Sequence, residues 1–416
     1  MARICIVTPG QLGSNPRVVK EANALVEAGH VVTVICTKVL ASVEPRDRAV
    51  MATVRFKVHR IAFGQGLGWR IDRLVQIAAR RAFALWPSRA LAERAISPMT
   101  RRLGQAARRE SADLYIAHYP PALPAAARAA AHHGARFAFD AEDFHTGDLP
   151  DAPEYATEAS VIATIERSHL PAAVHVTAAS PGIADAYAQA YGIARPSVVL
   201  NTFPKVLAPD RPAQQGTRPS LYWFSQTLGP GRGLETLIEA VVQSRLKPHV
   251  HLRGMPSAGY AEALTTLASD LGIADRLHLL DPIEPDLLER AAAGHAIGYV
   301  GELAETRNRQ IALTNKLFSY LSSGLAVIAS DIPAHRAIAV DLGDAIRLFP
   351  TGDAAALAAC IDDWLADPAR LQAARISAWT LGQSRFSWET DKATLVSRVS
   401  ESLGSPTIPR TDGVHA

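Results

Sequence analysis

The stretch RICIVTPGQLGSNPRVVKEANALVEAGHVVTVIC, residues 3–36, decides the fold. The apolar run Ile4 to Val7 reads as a short buried strand. Ser14 or Asn15 can cap a helix over Pro16 to Ala28, Pro16 suits its first turn, and Gly29 ends it. Val31 to Cys36 is rich in β-branched residues and reads as the next strand. Strand, helix, strand predicts a parallel sheet flanked by helices, so the class is α/β.

The same rhythm continues outward. Strands are expected at Leu114 to Ala117, Phe137 to Phe139, Val174 to Ala178 and Val198 to Leu200. Residues 203–220 carry four prolines and no apolar period, which predicts a linker. Strand–helix units resume at Leu221 and run to the break at Ser384 to Phe386. The expected organisation is an N-terminal Rossmann-like domain over 1–204 and a linker over 205–219. A C-terminal Rossmann-like domain over 220–385, a final helix over 386–403 and a tail over 404–416 complete it. Two such sheets are expected to face a central cleft, because open α/β sheets bind ligands at their strand C-termini.

Composition narrows the class. The chain has 416 residues, 48% of them hydrophobic and 20% charged, which excludes a disordered chain. Three cysteines and no C-x-x-C pair suit a reducing cytosol rather than a disulfide framework. The run after Arg3 is too short for an export signal, and no stretch approaches a membrane span. The net charge of +3 hides an asymmetry: residues 64–109 hold ten arginines, two acids and no lysine, a local +8. Arg70, Arg73, Arg80 and Arg81 alternate there with Leu74, Ile77, Phe83 and Trp86. That mixture suits a helical segment lying on an anionic membrane surface, or a solvated helical face. Nucleic acid is not expected, since no binding motif accompanies the charge.

Several strand ends carry candidate chemistry. The turn Thr8 to Arg17, with Gly10 and Gly13, offers backbone N–H groups before a helix. It lacks the G-x-G-x-x-G dinucleotide pattern. Gly229, Gly231 and Gly233 let the backbone approach a ligand, and Arg232 supplies a phosphate-binding fork. The Lys-Ser/Thr ending of a nucleotide-triphosphate loop is missing. Asn308 and Arg309 precede a helix with Asn315, Lys316 and Ser319, ended by Gly324. Lys316 in a first helical turn opposes the dipole, a conflict that a bound diphosphate removes. Glu302 follows a strand and is either a binder of sugar or ribose hydroxyls or a surface glutamate. Glu142, Asp143 and His145 follow another strand, where they suit acid–base work or cap the next helix. His118 also ends a strand and either enters the cleft or is a satisfied buried histidine. No H-E-x-x-H and no D-x-D occurs, so neither a metal nor a cofactor is expected.

Four segments resemble those of the family-4 glycosyltransferases, retaining enzymes of the two-Rossmann-domain GT-B fold. They are Thr8 to Arg17, Asp140 to His145, Ser225 to Glu235 and Asn315 to Gly324, in family order over about residues 3–400. The resemblance implies that Arg232 and the helix starting at Asn315 contact a donor diphosphate, and that the Gly10–Gly13 loop lies near the reacting sugar. It implies that the helix from Trp388 and Glu389 crosses back to the N-terminal domain. The family's glutamate pair aligns with Ile311 and Ser319, and its earlier basic residue with Thr227. Glu302 or the Ser319 hydroxyl could serve in place of those glutamates. The departures leave open a changed donor or lost activity.

The expected function is transfer of a sugar from a nucleotide-diphosphate sugar, as donor substrate, to a glycan or lipid-linked acceptor at the cytoplasmic membrane face. The setting expected is bacterial surface polysaccharide or glycolipid synthesis. A non-catalytic binding protein of the same fold and a nucleotide-sugar epimerase are the alternatives.

Overall fold

The computed structural model describes residues 1–64, 66–212 and 219–404. Residues 213–218 of the expected linker and 405–416 of the expected tail lie outside the described residues. The chain divides into two compact units, Met1–Val199 with the chain from Lys392 on, and Leu200–Asp391.

The first unit is built on β1 (Arg3–Val7), β2 (Val31–Lys38), β3 (Lys57–Ala62), β4 (Leu114–His118), β5 (Arg136–Ala141), β6 (Val176–Ala178) and β7 (Ser197–Val198). They form a parallel seven-stranded sheet in the order β3-β2-β1-β4-β5-β6-β7. Asn15 caps the first helix, Pro16–Glu27, by accepting from the Val18 N–H. Ile4, Ile6, Val32, Val34, Leu114 and Ile116 share one core with Val399 of the last helix, Trp388–Gly404.

The second unit holds β8 (Ser220–Leu228), β9 (His249–Pro256), β10 (Leu277–Leu280), β11 (Ile297–Val300), β12 (Ala326–Ser330) and β13 (Ile346–Phe349). Their order is β10-β9-β8-β11-β12-β13, again parallel. Alternation along β8 sends Leu221 and Trp223 into one core and Tyr222 and Phe224 into another, so helices cover both faces. Both sheets are therefore of the Rossmann-like type that the opening stretch predicts.

Residues 202–205 belong to the second unit because the start of the last helix holds them. The Trp388 N–H donates to Phe203 O at 2.9 Å, the Lys205 N–H donates to Glu389, and the Thr202 hydroxyl donates to Asp391.

Two elements escape the sequence pattern. β3 is an edge strand with charged and half-exposed positions, and the helix Glu44–Thr53 buries only Asp47. The arginine-rich segment is three helices, Gly66–Leu85, Arg89–Ala95 and Thr100–Arg109. Part of its charge is neutralised internally: Arg101 and Arg102 both grip Asp72, and Arg89 and Arg128 both grip Glu93. Arg70, Arg73 and Arg81 stay exposed. So do Leu67, Ile71, Leu74, Val75, Leu85 and Trp86, each at least 46% accessible. Positions 67, 71, 74, 78 and 85 fall on one stripe of a helix of ~3.6 residues per turn. Among the described residues no helix is long and apolar enough to cross a membrane.

Candidate active site

In the second unit the glycine loop after β8 leads into the helix Leu234–Gln243. Gly231 and Gly233 have φ of +74° and +67°, where side chains are strained. A Cβ on Gly233 would lie 2.5 Å from the Gly301 carbonyl, so only glycine lets this loop pack on the end of β11. Around the loop stand Arg232, Arg309 and Lys316. Arg309 donates to Gly231 O at 3.4 Å and lies 3.8 Å from Glu305. Lys316 is buried, 3.1 Å from Glu302 and 5.6 Å from the Trp223 ring centre. Arg232 approaches Glu302 to 4.0 Å. Burial alone would raise the Glu302 pKa, but Lys316 and then Arg232 more than offset it, so Glu302 is held below its ordinary value. Thr314 caps the helix Asn315–Ser323 by accepting from the Lys316 N–H, leaving Asn315 exposed at its first turn. Three cations, a helix N-terminus and a glycine loop thus converge at the C-terminal ends of β8 and β11.

In the first unit the ends of β1, β4 and β5 border a cavity of about 330 Å³ whose lining includes Pro9, Tyr119, His145 and Arg80. Tyr119 has φ of 64°, a strained conformation for a bulky residue. Its hydroxyl donates to Glu142 at 2.9 Å. Burial, reinforced by Asp143 and Asp140, raises the Glu142 pKa. The Tyr187 hydroxyl donates to Glu166 at 2.6 Å and accepts from His145 Nδ1 at 2.7 Å. Tyr191 donates to the other Glu166 oxygen. Burial disfavours charge on His145, but Glu166, with Asp143 and Asp148, outweighs it, so the pKa is raised.

The sequence model of glycosyl transferase 4-like domains matches residues 13–202, and that of glycosyl transferases group 1 matches residues 218–367. The chain belongs to the family-4-like glycosyltransferases of the GT-B fold. Solved structures share the fold of this glycosyltransferase at low identity. HepE of Anabaena, in complex with UDP-glucose, is 17% identical, with a TM-score of 0.71 over 96% of this chain and 100% of that one. Sucrose-phosphate synthase of Thermosynechococcus elongatus is 16% identical, with a TM-score of 0.72 over 97% and 100%. TarM of S. aureus is 9% identical, with a TM-score of 0.69 over 97% and 99%. No curated protein matches the chain by sequence.

The glycosyltransferase fold assigns some expected residues elsewhere. His118 is not free for catalysis: it is 1% exposed, clamped between Glu21 at 2.5 Å and Asp140 at 3.3 Å. Ser319 cannot present its hydroxyl to a ligand as built, because it is fully buried and donates to Glu289 at 2.9 Å. Glu302 is no surface glutamate; it is 8% exposed. Gly13 is occupied too, since its N–H donates to Asp47 at 2.7 Å. Gln11 and Arg60 bind the same carboxylate, so Asp47 fastens the loop from behind. Gly10 keeps its place on this loop, its N–H turned onto the Thr8 hydroxyl. Among the described residues no group of three or more His, Cys, Asp or Glu side chains is arranged to hold a metal ion.

Tyr119 is a residue that sequence reasoning gave no role, and Arg309 was singled out there without one. Position offered the signal: Arg309 lies just ahead of the Lys316 helix, and Tyr119 directly follows a strand.

Gly13→Ala separates packing from binding. The added Cβ would meet the Arg46 Cβ at 2.7 Å and the Asp47 nitrogen at 2.9 Å. Overpacking of this kind costs roughly 1–3 kcal/mol. The expected outcome in urea unfolding is that loss, with nucleotide affinity unchanged.

Proposed function

We propose that this glycosyltransferase moves a sugar from a nucleotide-diphosphate donor to a glycan or lipid-linked acceptor, with retention and without a metal. The second unit takes the donor and the first the acceptor. The observation that carries the reading is the convergence of Arg232, Arg309 and Lys316 on the glycine loop beside the helix that starts at Asn315. Such preorganised positive charge stabilises a departing diphosphate, which is what the leaving step requires. Complexes of the structurally similar HepE with UDP and with UDP-glucose support a nucleotide-sugar donor. In the first unit, His145 lines the cavity that we assign to the acceptor, and Glu142 is joined to it through the Tyr119 hydroxyl.

Thermal unfolding against millimolar UDP, GDP, ADP, CMP and dTDP tests the donor half. A ligand at a hundred times its dissociation constant adds about 2.7 kcal/mol. One nucleotide is expected to raise Tm clearly, and Arg232→Ala to abolish the rise. No rise with any of them, from folded protein, would favour the non-catalytic reading. That reading is motivated by Ile311 and the buried Ser319 where the family carries its acidic pair.

The acceptor is placed at the cytoplasmic membrane face, with the protein peripheral and serving surface polysaccharide or glycolipid synthesis. Support comes from the exposed stripe Leu67, Ile71, Leu74 and Leu85, bordered by Arg70, Arg73 and Arg81. Vesicles with 30 mol% phosphatidylglycerol should retain the protein at low salt. Leu74→Asp should cut that binding about tenfold or more, and neutral vesicles should retain little. Equal retention by both vesicle types would refute the assignment.

A further inference from the structure

Away from the glycine loop, the second unit gathers four histidines into one cluster. Alternation along β9 puts His249, His251 and Arg253 on one face. His278 of β10 stands opposite His251, and Ser220 and Tyr222 of β8 stand opposite His249 and His251. His295, just ahead of β11, completes the cluster. The His249 and His278 rings stack at 5.0 Å and share a hydrogen bond, Nδ1 to Nε2, of 2.8 Å. His251 packs between His278 at 4.5 Å and His295 at 4.6 Å. His295 stacks on Tyr222 at 4.5 Å, and its Nδ1 lies 2.9 Å from the Ser220 hydroxyl.

This packing tolerates protons poorly. A hydrogen bond between two imidazoles needs one nitrogen to donate and the other to accept, so the His249–His278 pair cannot persist with both rings protonated. A cation already stands on this face: Arg253 donates to the Tyr222 hydroxyl at 2.9 Å and to the Asp281 carbonyl at 2.6 Å. Lys247 and Arg276 flank the starts of β9 and β10, with Arg276 paired to Asp275 and donating to the Lys247 carbonyl. Glu289, on the helix Leu288–Ala292, acts on Tyr222 and accepts from Ser319. Burial, reinforced by His278, His249 and Arg253, lowers the His251 pKa to about 4. Burial, reinforced by His251 and Arg253, lowers that of His295 to about 3. A histidine held low in the fold takes up its proton on unfolding. The stability it contributes is complete above the unfolded value of about 6.5 and is lost as pH falls toward the folded value.

We propose that the histidine cluster is an acid-sensitive lock on the second unit, which fastens β9, β10 and the start of β11 to β8 while neutral and releases them reversibly when protonated. β8 begins at the cluster and ends at the glycine loop, so mild acid loosens the strand that carries that loop. The lock acts between about pH 6.5 and 4, above the range in which ordinary carboxylates titrate. It does not depend on which donor the glycosyltransferase uses.

The test is amide hydrogen exchange of the full chain at pH 7.0 and 5.5, corrected for the intrinsic pH dependence of exchange. Two rings kept neutral give at most about 70-fold more opening over that interval, and their partial exposure reduces the expectation to about 20-fold. The Val250 and Leu252 amides of β9 should show that rise. His335 in this unit and His169 and His175 in the first are also held low, so variants must identify the cluster. His251→Phe with His295→Gln, which keeps a ring in the stack and an acceptor for Ser220, should cut the rise at least fivefold. The Ile4 and Ile116 amides of the first unit should not respond to the double variant. Titration of the imidazole ring protons by NMR in the wild-type chain needs no variant: His251 and His295 should stay neutral at pH 5.5 wherever β9 remains protected. A rise unchanged in the double variant would overturn the inference. So would a His251 or His295 ring that titrates near pH 6.5 in the folded protein, or protection that fails to return at pH 7.0.

Discussion

Lys316→Ala is expected to lower kcat by about 10²–10³-fold, the usual loss when one preorganised charge-stabilising group is removed. Lys316 is already fixed before any donor arrives: Glu302 holds it at 3.1 Å and the Trp223 ring lies beneath it. Its charge therefore needs little reorganisation when a diphosphate leaves. The same change uncovers a second effect. Glu302 is left buried, with Arg232 at 4.0 Å as its remaining cation. Removing one partner of a buried pair costs roughly 3–5 kcal/mol, and Arg232 should reduce that to about 2–3 kcal/mol. The sign of the pH dependence follows from the lowered Glu302 pKa. Its ion pair contributes stability above the unfolded value of about 4.5 and loses it as pH falls below that. The deficit of the variant should accordingly be largest near neutrality and shrink in acid. Lys316→Ala with Glu302→Gln should regain stability but not kcat. Restored kcat in that double variant would show that Lys316 serves only to neutralise Glu302.

Arg17→Met should destabilise the first unit by roughly 3–5 kcal/mol, because it strips the partner from a buried carboxylate. Arg17 and Asp140 are 4% and 3% exposed and meet through two bonds of 2.7 and 2.8 Å. The third arm of the guanidinium donates to Val199 O at 2.9 Å, tying the first helix to the residue that follows β7. Burial alone would raise the Asp140 pKa, yet Arg17, His118 and the Thr177 hydroxyl together drive it well below the ordinary range. That stability is present above about pH 4 and lost below it, so the variant's deficit should fade in acid. At about 2–4 °C per kcal/mol, Tm should drop by about 10 °C. Arg17→Met with Asp140→Leu should recover much of the loss. Nucleotide affinity of the folded fraction should not change; if it did, the network would belong to ligand binding and not to the scaffold.

The glycine loop and the helix start of the second unit were legible as local structure. The glycines at 229, 231 and 233 and the cation at 232 sit between strand and helix, and such a turn has few uses. The family motifs placed the helix at Asn315 correctly for the same local reason. The strand-end residues of the first unit were legible only as a group. His118 and Asp140 lie in the last two residues of β4 and β5 and Glu142 and His145 follow β5, yet His118 and Asp140 face inward to Glu21 and Arg17, while His145 borders a cavity. Alternation along a strand does not extend past its last residue, so the local pattern could not separate them.

The sequence by itself determined the alternation of strands and helices, the parallel class of both sheets and the positions of the glycine turns. Those properties depend on neighbours within a few residues, through caps, helix stops and apolar periodicity. Only the tertiary structure decided which charges pair inside the scaffold and which gather around the glycine loop. Arg17 meets Asp140 across 123 residues, and His118 meets Glu21 across 97. Buried charges take whichever partner folding brings within about 3 Å, and chain separation carries no information about that distance.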